Sequence, residues 1–143
     1  MMVLDTSGLL AAIDSTQSRH AGARQAVEQS DGPYLISPFV LAELDYLLAT
    51  RVGRAEQLAL LGEVERGVYR LETFSASDVA RARTVLERYQ DLDLGLADAS
   101  NVILANRYST HDILTLDERH FRTVLGPGEQ PFRILPADLE IHP

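Results

Sequence analysis

Five short apolar runs, MVLD, YLI, YRLETF, HDILTLD and PFRIL, recur along the chain with helix-length segments between them. No other feature restricts the fold as much. Strands that alternate with helices in this way predict an α/β domain whose sheet is mainly parallel and covered on both faces. The connecting helices are read at LLAAI, AGARQAVEQ, FVLAELDYLLAT, RAEQLALLGEVER, SASDVARARTVLERYQ and from about Leu96 to Arg107, with DERHF as a short helical turn. Local punctuation agrees. Ser37 followed by Pro38 is a hydroxyl cap with proline in the first turn, and Ser75 with Asp78 has capping-box spacing with Asp in place of Glu. DGP breaks the chain before YLI, and Gly53 opens the helix that follows it. No repeat or low-complexity tract interrupts the pattern, so residues 1–143 read as one domain, large enough to bury roughly 70% of its unfolded surface.

Within this frame some acids stand where apolar side chains are expected. On a helix, Glu43 shares a face with Val40, Leu44 and Leu47, which points it towards the core side; a place at the margin of the buried stripe, reaching water, is the simpler alternative. Asp45 projects about a third of the way round the same helix and needs no such explanation. Asp98 in LADASNVILA shares a face with Val102 and Ala105 and repeats the anomaly. Two more acids end strands: Asp5 closes MVLD, and Asp117 follows ILTL. In open parallel sheets the functional crevice lies beyond the carboxyl ends of the strands, so these two face one crevice if their strands are neighbours.

If all four converged, their six mutual repulsions, each about 3 kcal/mol at ~5 Å and an effective dielectric near 20, would total on the order of 20 kcal/mol. That exceeds the net stability of an ordinary domain, so such a cluster survives by binding protons or cations. An all-oxygen ligand set suits Mg²⁺ or Mn²⁺, which can activate water and stabilise charge developing on a phosphodiester. Composition and spacing alone do not show convergence.

The motifs VLDTSGLLA, LAELDYLL, LADASNVILANR and ILTLDERHF, in that order from Val3 to about Phe121, resemble those of the PIN-domain nucleases, and the chain length resembles the VapC-type toxins of bacterial toxin–antitoxin pairs. The resemblance implies a three-layer α/β/α PIN-like domain. It matches the family's four acids to Asp5, Glu43, Asp98 and Asp117, as Mg²⁺ or Mn²⁺ ligands and catalytic residues of an endoribonuclease acting on structured RNA such as tRNA or rRNA. Thr6 and Thr115, beside two of the acids, are expected to orient carboxylates. The resemblance also implies a cognate VapB-type antitoxin and a homodimer, for which the apolar helices 39–49 and 54–65 offer surface.

Charge tempers this reading. The chain carries 13 basic and 21 acidic residues, a net of −8, and contains no lysine, so RNA phosphate must be met by a few arginines against an unfavourable field. Arg119 and Arg122 follow Asp117 and are the candidates at the rim; for Arg119 a surface role weighs equally. Arg107 is expected to cap the C-terminal end of its helix, and Ser7 to cap the helix after Asp5. His20, His111 and His142 lie at element boundaries or the terminus without partners at metal-ligand spacing. His120 follows Asp117 in the same turn, where it could face the groove, and a surface position is the better expectation. Asp93 and Asp112 are expected to be solvated.

Absence of cysteine removes disulfides and thiolate chemistry, and no GxSxG or Walker pattern supports a serine hydrolase or P-loop enzyme. A phosphate-receiver domain predicts a pocket lysine, which is lacking. A non-catalytic PIN-like domain that binds metal or RNA remains the alternative. The first apolar run is broken by Asp5 and lacks a basic lead, so it makes a poor signal peptide; the expectation is a cytoplasmic protein with no membrane partner.

Overall fold

The computed structural model describes residues 1–139; His142 lies outside the described residues. Five strands, β1 (Met2–Leu4), β2 (Tyr34–Ile36), β3 (Arg70–Leu71), β4 (Asp112–Leu114) and β5 (Arg133–Leu135), form one sheet in the order β3-β2-β1-β4-β5. Every pairing is parallel, with Leu4 opposite both Ile36 and Leu114. Helices α1 (Thr6–Ile13), α2 (His20–Gln29), α3 (Pro38–Leu47), α4 (Arg54–Glu65), α5 (Ala76–Arg88), α6 (Leu96–Tyr108) and α7 (Glu118–Phe121) fill the connections. No helix among the described residues is long and apolar enough to cross a membrane.

Strand periodicity divides the core into two. Met2, Leu4, Ile36, Leu114 and Leu135 point to one face, where they meet Leu9, Ala23, Val40, Leu44 and Leu60 of α1 to α4. Val3, Leu35, Ile113 and Ile134 point to the other, against Val102, Leu104, Phe121 and Phe132. The sheet is therefore buried on both sides, and the architecture is the three-layer α/β/α expected. The chain winds from β1 outward to β3, then crosses back to β4 on the far side of β1. The order reverses between β1 and β4, and the crevice outside their carboxyl ends is where such sheets bind ligands.

The caps at α3 and α5 follow the sequence reading. Ser37 Oγ accepts from Phe39 N at 3.1 Å, with Pro38 in the first turn. Ser75 and Asp78 exchange the two bonds of a capping box. Two elements differ from expectation. The helix read through Thr50 stops at Leu47, and a wider π turn from Leu48 to Val52 leads to Gly53. The strand read over YRLETF shrinks to Arg70–Leu71; the next residue, Glu72, still donates its N–H to Ile36 O at 3.0 Å, and its side chain is buried. Its carboxylate accepts from Tyr108 Oη and from Arg70 Nε at 3.0 Å, and Arg107 lies 3.5 Å away. Arg107 also donates to Thr73 O at 2.9 Å and Asp78 Oδ2 at 3.0 Å. It thus braces β3 and the start of α5 rather than the carbonyls of its own helix, which ends instead on Ser109 in a left-handed conformation.

Candidate metal centre

The crevice between β1 and β4 is assembled by tight turns at the two strand ends. Asp5 N donates to Leu114 O at 2.9 Å, so β1 enters α1 directly against the end of β4. Asp5 occupies the N-cap position of α1, but its side chain caps nothing. It turns inward, where Oδ1 accepts from Asn101 Nδ2 at 2.9 Å and Oδ2 from Thr115 Oγ1 at 2.7 Å. Thr115 Oγ1 in turn accepts from Asp117 N at 2.9 Å, which ties the two strand-end acids together.

The helices bring the other acids to the same place. Asp98, in the first turn of α6, accepts from Gly95 N at 3.0 Å and lies half-buried. Glu43 of α3 accepts from Thr6 Oγ1 at 2.8 Å. Its neighbours Val40 and Leu44 are fully buried, whereas Glu43 is exposed, so it stands at the margin of the apolar stripe rather than pointing into the core. Asp117 caps the short α7 through His120 N at 3.0 Å. Asp98, Asp117 and His120 each place one ligand atom within 4.8 Å of the others.

Both predicted threonines touch acids. Three further residues join the site that the sequence reading had assigned elsewhere or passed over. Ser7 does not cap α1: its Oγ lies 3.2 Å from Thr115 Oγ1 and accepts from Leu116 N at 2.9 Å, linking α1 to the loop after β4. Asn101, fully buried, follows Asp98 by three residues and so shares its helical face. His120 stands three residues after Asp117, and its side chain is only 15% exposed rather than on the surface. For Asn101 and His120 the i,i+3 spacing from an acid is the available signal; Ser7, two residues after Asp5, carries none.

Arg122 pairs with Asp138 at 2.6 Å and Glu118 at 2.9 Å, while Arg119 is exposed and forms no ion pair among the described residues. His20 Nδ1 meets Ala11 O at 2.7 Å, and His111 Nε2 meets Pro127 O at 2.8 Å. Asp93 is exposed in a loop, and Asp112 is half-buried and paired with Arg133 at 3.3 Å.

Electrostatically the cluster is under-compensated. No arginine pairs with Asp5, Glu43, Asp98 or Asp117 among the described residues. Burial, reinforced by Asp98 and Asp117 and opposed by the Thr115 hydrogen bond, pushes Asp5 up to about 6. Asp98 is also raised, first by burial, with Asp117 and Glu43 adding to it. Asn101 Oδ1, buried against this cluster, has no partner. Hard oxygen donors, surplus negative charge and a leftover buried carbonyl oxygen fit a divalent cation of the Mg²⁺ or Mn²⁺ kind.

The raised Asp5 has a stability consequence with a definite sign. The folded state holds this proton more tightly than the unfolded chain, whose value is 3.8. Its favourable contribution is therefore full below 3.8 and is lost as pH rises through about 6. The difference corresponds to about 3 kcal/mol. Metal-free protein is expected to lose stability by an amount of this order between pH 4 and 7 at this group. Urea titrations in chelator, comparing native protein with Asp5→Asn, isolate the effect; parallel pH profiles for the two would refute it.

The chain matches the PIN domain model over residues 2–125. It is 43% identical over 135 residues to Ribonuclease VapC26 of Mycobacterium tuberculosis, covering 94% of this chain and all of that protein. Among solved structures it is similar to Mycobacterium tuberculosis VapC20, described as a sarcin–ricin loop cleaving toxin. That similarity has a TM-score of 0.76 and 22% identity, covering 82% of this chain and 90% of that one. It is also similar to VapBC2 of Rickettsia felis bound to a DNA fragment from their promoter, with a TM-score of 0.64 and 21% identity over 93% and 97% of the two chains. An all-parallel five-stranded sheet with its acids gathered at the β1/β4 reversal, together with these matches, places the chain: it belongs to the PIN-domain family.

Proposed function

We propose that the protein is a divalent-metal-dependent endoribonuclease, the toxin of a VapBC-type toxin–antitoxin pair. The observation that carries this is the convergence of Asp5, Glu43, Asp98 and Asp117 at the reversal of strand order, in a chain 43% identical over 135 residues to a named ribonuclease. These four acids would hold the ion or ions. When bound, Mg²⁺ or Mn²⁺ supplies a more acidic water and offsets charge developing on the phosphate.

The chain's own part is positioning. Asn101 and Thr115 each hold one oxygen of Asp5, leaving each oxygen a further lone pair for a ligand. Thr6 holds Oε2 of Glu43 and orients the carboxylate while leaving it open to solvent at the mouth, where it can face the ion. Arg119 supplies the positive group at the rim for an RNA phosphate; Arg122, neutralised by two carboxylates, contributes by bracing α7.

Structured RNA such as tRNA or rRNA is the substrate class in this reading, and the cytoplasm its location. A VapB-type antitoxin and a second copy of the chain are the proposed partners. The exposed Tyr46 of α3 and Leu58 and Leu61 of α4 support an apolar docking face there. Purified protein is expected to cut a pool of tRNA and rRNA into discrete products with Mg²⁺ or Mn²⁺, to stop on chelation, and to lose activity as Asp98→Asn. Binding of RNA without ion-dependent products would instead support the non-catalytic alternative.

A further inference from the structure

The described histidines fall into two kinds. His20 and His111 each set a ring nitrogen against a backbone carbonyl. His120 does not. Its Nδ1 is shielded from solvent and lies 2.8 Å from Asp117 Oδ2, and among the described residues the nitrogen has no other partner. A ring nitrogen and a carboxylate oxygen this close are held together by a proton or by a cation between them, and a cation here would have ligands ready on both sides. Adjacent ligands of an octahedral ion with bonds of about 2.1 Å are separated by about 3 Å. The Asp117–His120 contact has that dimension, and Asp98 offers a third ligand atom within 4.8 Å of both.

A second observation in the same crevice points the same way. Asn101 is fully buried with its amide nitrogen on Asp5 Oδ1, and its carbonyl oxygen has no partner among the described residues. A buried acceptor normally has a donor, so the crevice is complete only when something positively charged or hydrogen-donating enters it.

We infer that His120 is a nitrogen ligand of the metal in this crevice, so that the site prefers a transition-metal dication such as Mn²⁺ over Mg²⁺. The inference rests on the proposed reading of the crevice as a metal centre. Carboxylates and water serve both ions, whereas imidazole binds transition ions better than it binds magnesium. A histidine that merely steadied Asp117 would favour both ions alike. The ratio of affinities therefore separates a ligand from a prop.

The test titrates the whole chain, without RNA, with Mn²⁺ and with Mg²⁺ by calorimetry, for native protein, His120→Ala and His120→Asp. Circular dichroism checks that the variants fold. His120→Ala is expected to weaken Mn²⁺ binding by about tenfold or more while moving Mg²⁺ by less than about threefold. His120→Asp, which restores a ligand made of oxygen, is expected to recover binding with the preference shifted towards Mg²⁺. Pulsed electron paramagnetic resonance of the Mn²⁺-loaded native protein should show ¹⁴N coupling from an imidazole, absent in His120→Ala. Equal losses for the two ions, or no nitrogen coupling in the native protein, would overturn the assignment of His120 while leaving the acidic centre intact. Failure of native protein to bind either ion would overturn both readings.

Discussion

Replacing Asp5 with asparagine is expected to abolish RNA cleavage and at the same time make the metal-free protein harder to unfold. The two effects share a cause. The Asp5 carboxylate is buried and raised to about 6, so near neutral pH it is held ionised at a cost of about 3 kcal/mol. Asparagine has the same shape without the charge. Asn101 Nδ2 continues to donate to the side-chain oxygen, while Thr115 Oγ1 must turn from donor to acceptor and redirect its hydrogen towards Ser7, 3.2 Å away. That rearrangement costs about 1 kcal/mol, so a net gain of about 2 kcal/mol is expected in chelator.

Activity moves the other way. Losing one acid of the proposed metal centre is expected to remove several kcal/mol of transition-state stabilisation, at least about 1,000-fold in rate. Urea denaturation with chelator and with saturating Mn²⁺ reads both halves: the native protein should gain stability from the ion, and Asp5→Asn should gain little. If Asp5→Asn proved less stable than native protein in chelator, the account of Asp5 as an uncompensated charge would fail. The trade of stability against function is the ordinary one for a site that concentrates like charge.

The second large effect concerns a residue that carries no chemistry. A Cβ on Gly8 would lie 2.3 Å from the carbonyl oxygen of Leu114 and 2.5 Å from its carbon, both backbone atoms. Alanine usually improves a helix over glycine by about 1 kcal/mol. Here the clash wins, because neither α1 nor β4 can yield without breaking the Asp5 N to Leu114 O bond, and such overpacking costs about 3 kcal/mol. Gly8→Ala is expected to lose about 2 kcal/mol net and most activity, since α1 lifts away from the strand end that positions Thr115. Gly22→Ala is the control: its Cβ meets only Pro136 side-chain atoms at 3.5 Å, and its stability should be unchanged or slightly higher. Equal behaviour of the two variants would contradict the role given to the α1–β4 approach.

Fold class was legible because strand and helix periodicities are local. The alternation of inward residues, Met2 and Leu4 to one face and Val3 to the other, follows from the pleat alone. The acids were legible for a related reason: each interrupts a periodic run or ends a strand. The residues that hold them were harder to see. Asn101 meets Asp5 across 96 positions, and Thr115 meets it across 110, so their roles exist only after folding. Ser7 follows a strand-end acid and looks like an ordinary cap; only the nearness of β4 redirects it. Glu72 was hidden inside an apparent strand because its partners, Arg70, Arg107 and Tyr108, assemble from two elements. Glu43 was legible in both respects: helical spacing sets it beside Val40 and Leu44, and the simpler of the two readings, a place at the margin of the buried stripe reaching water, is the one the structure has.

The position of β1 between β2 and β4 has a further consequence in time. The pairing of Val3 with Ile113 closes a long loop of chain, and contacts of such separation form late in folding. On the ribosome, everything up to α5 can be made and collapse while the half of the crevice that carries Thr115, Asp117 and His120 does not yet exist. If the proposed metal centre is the cleavage site, RNA cutting is expected only once the half of the chain carrying Thr115, Asp117 and His120 has been made and has folded.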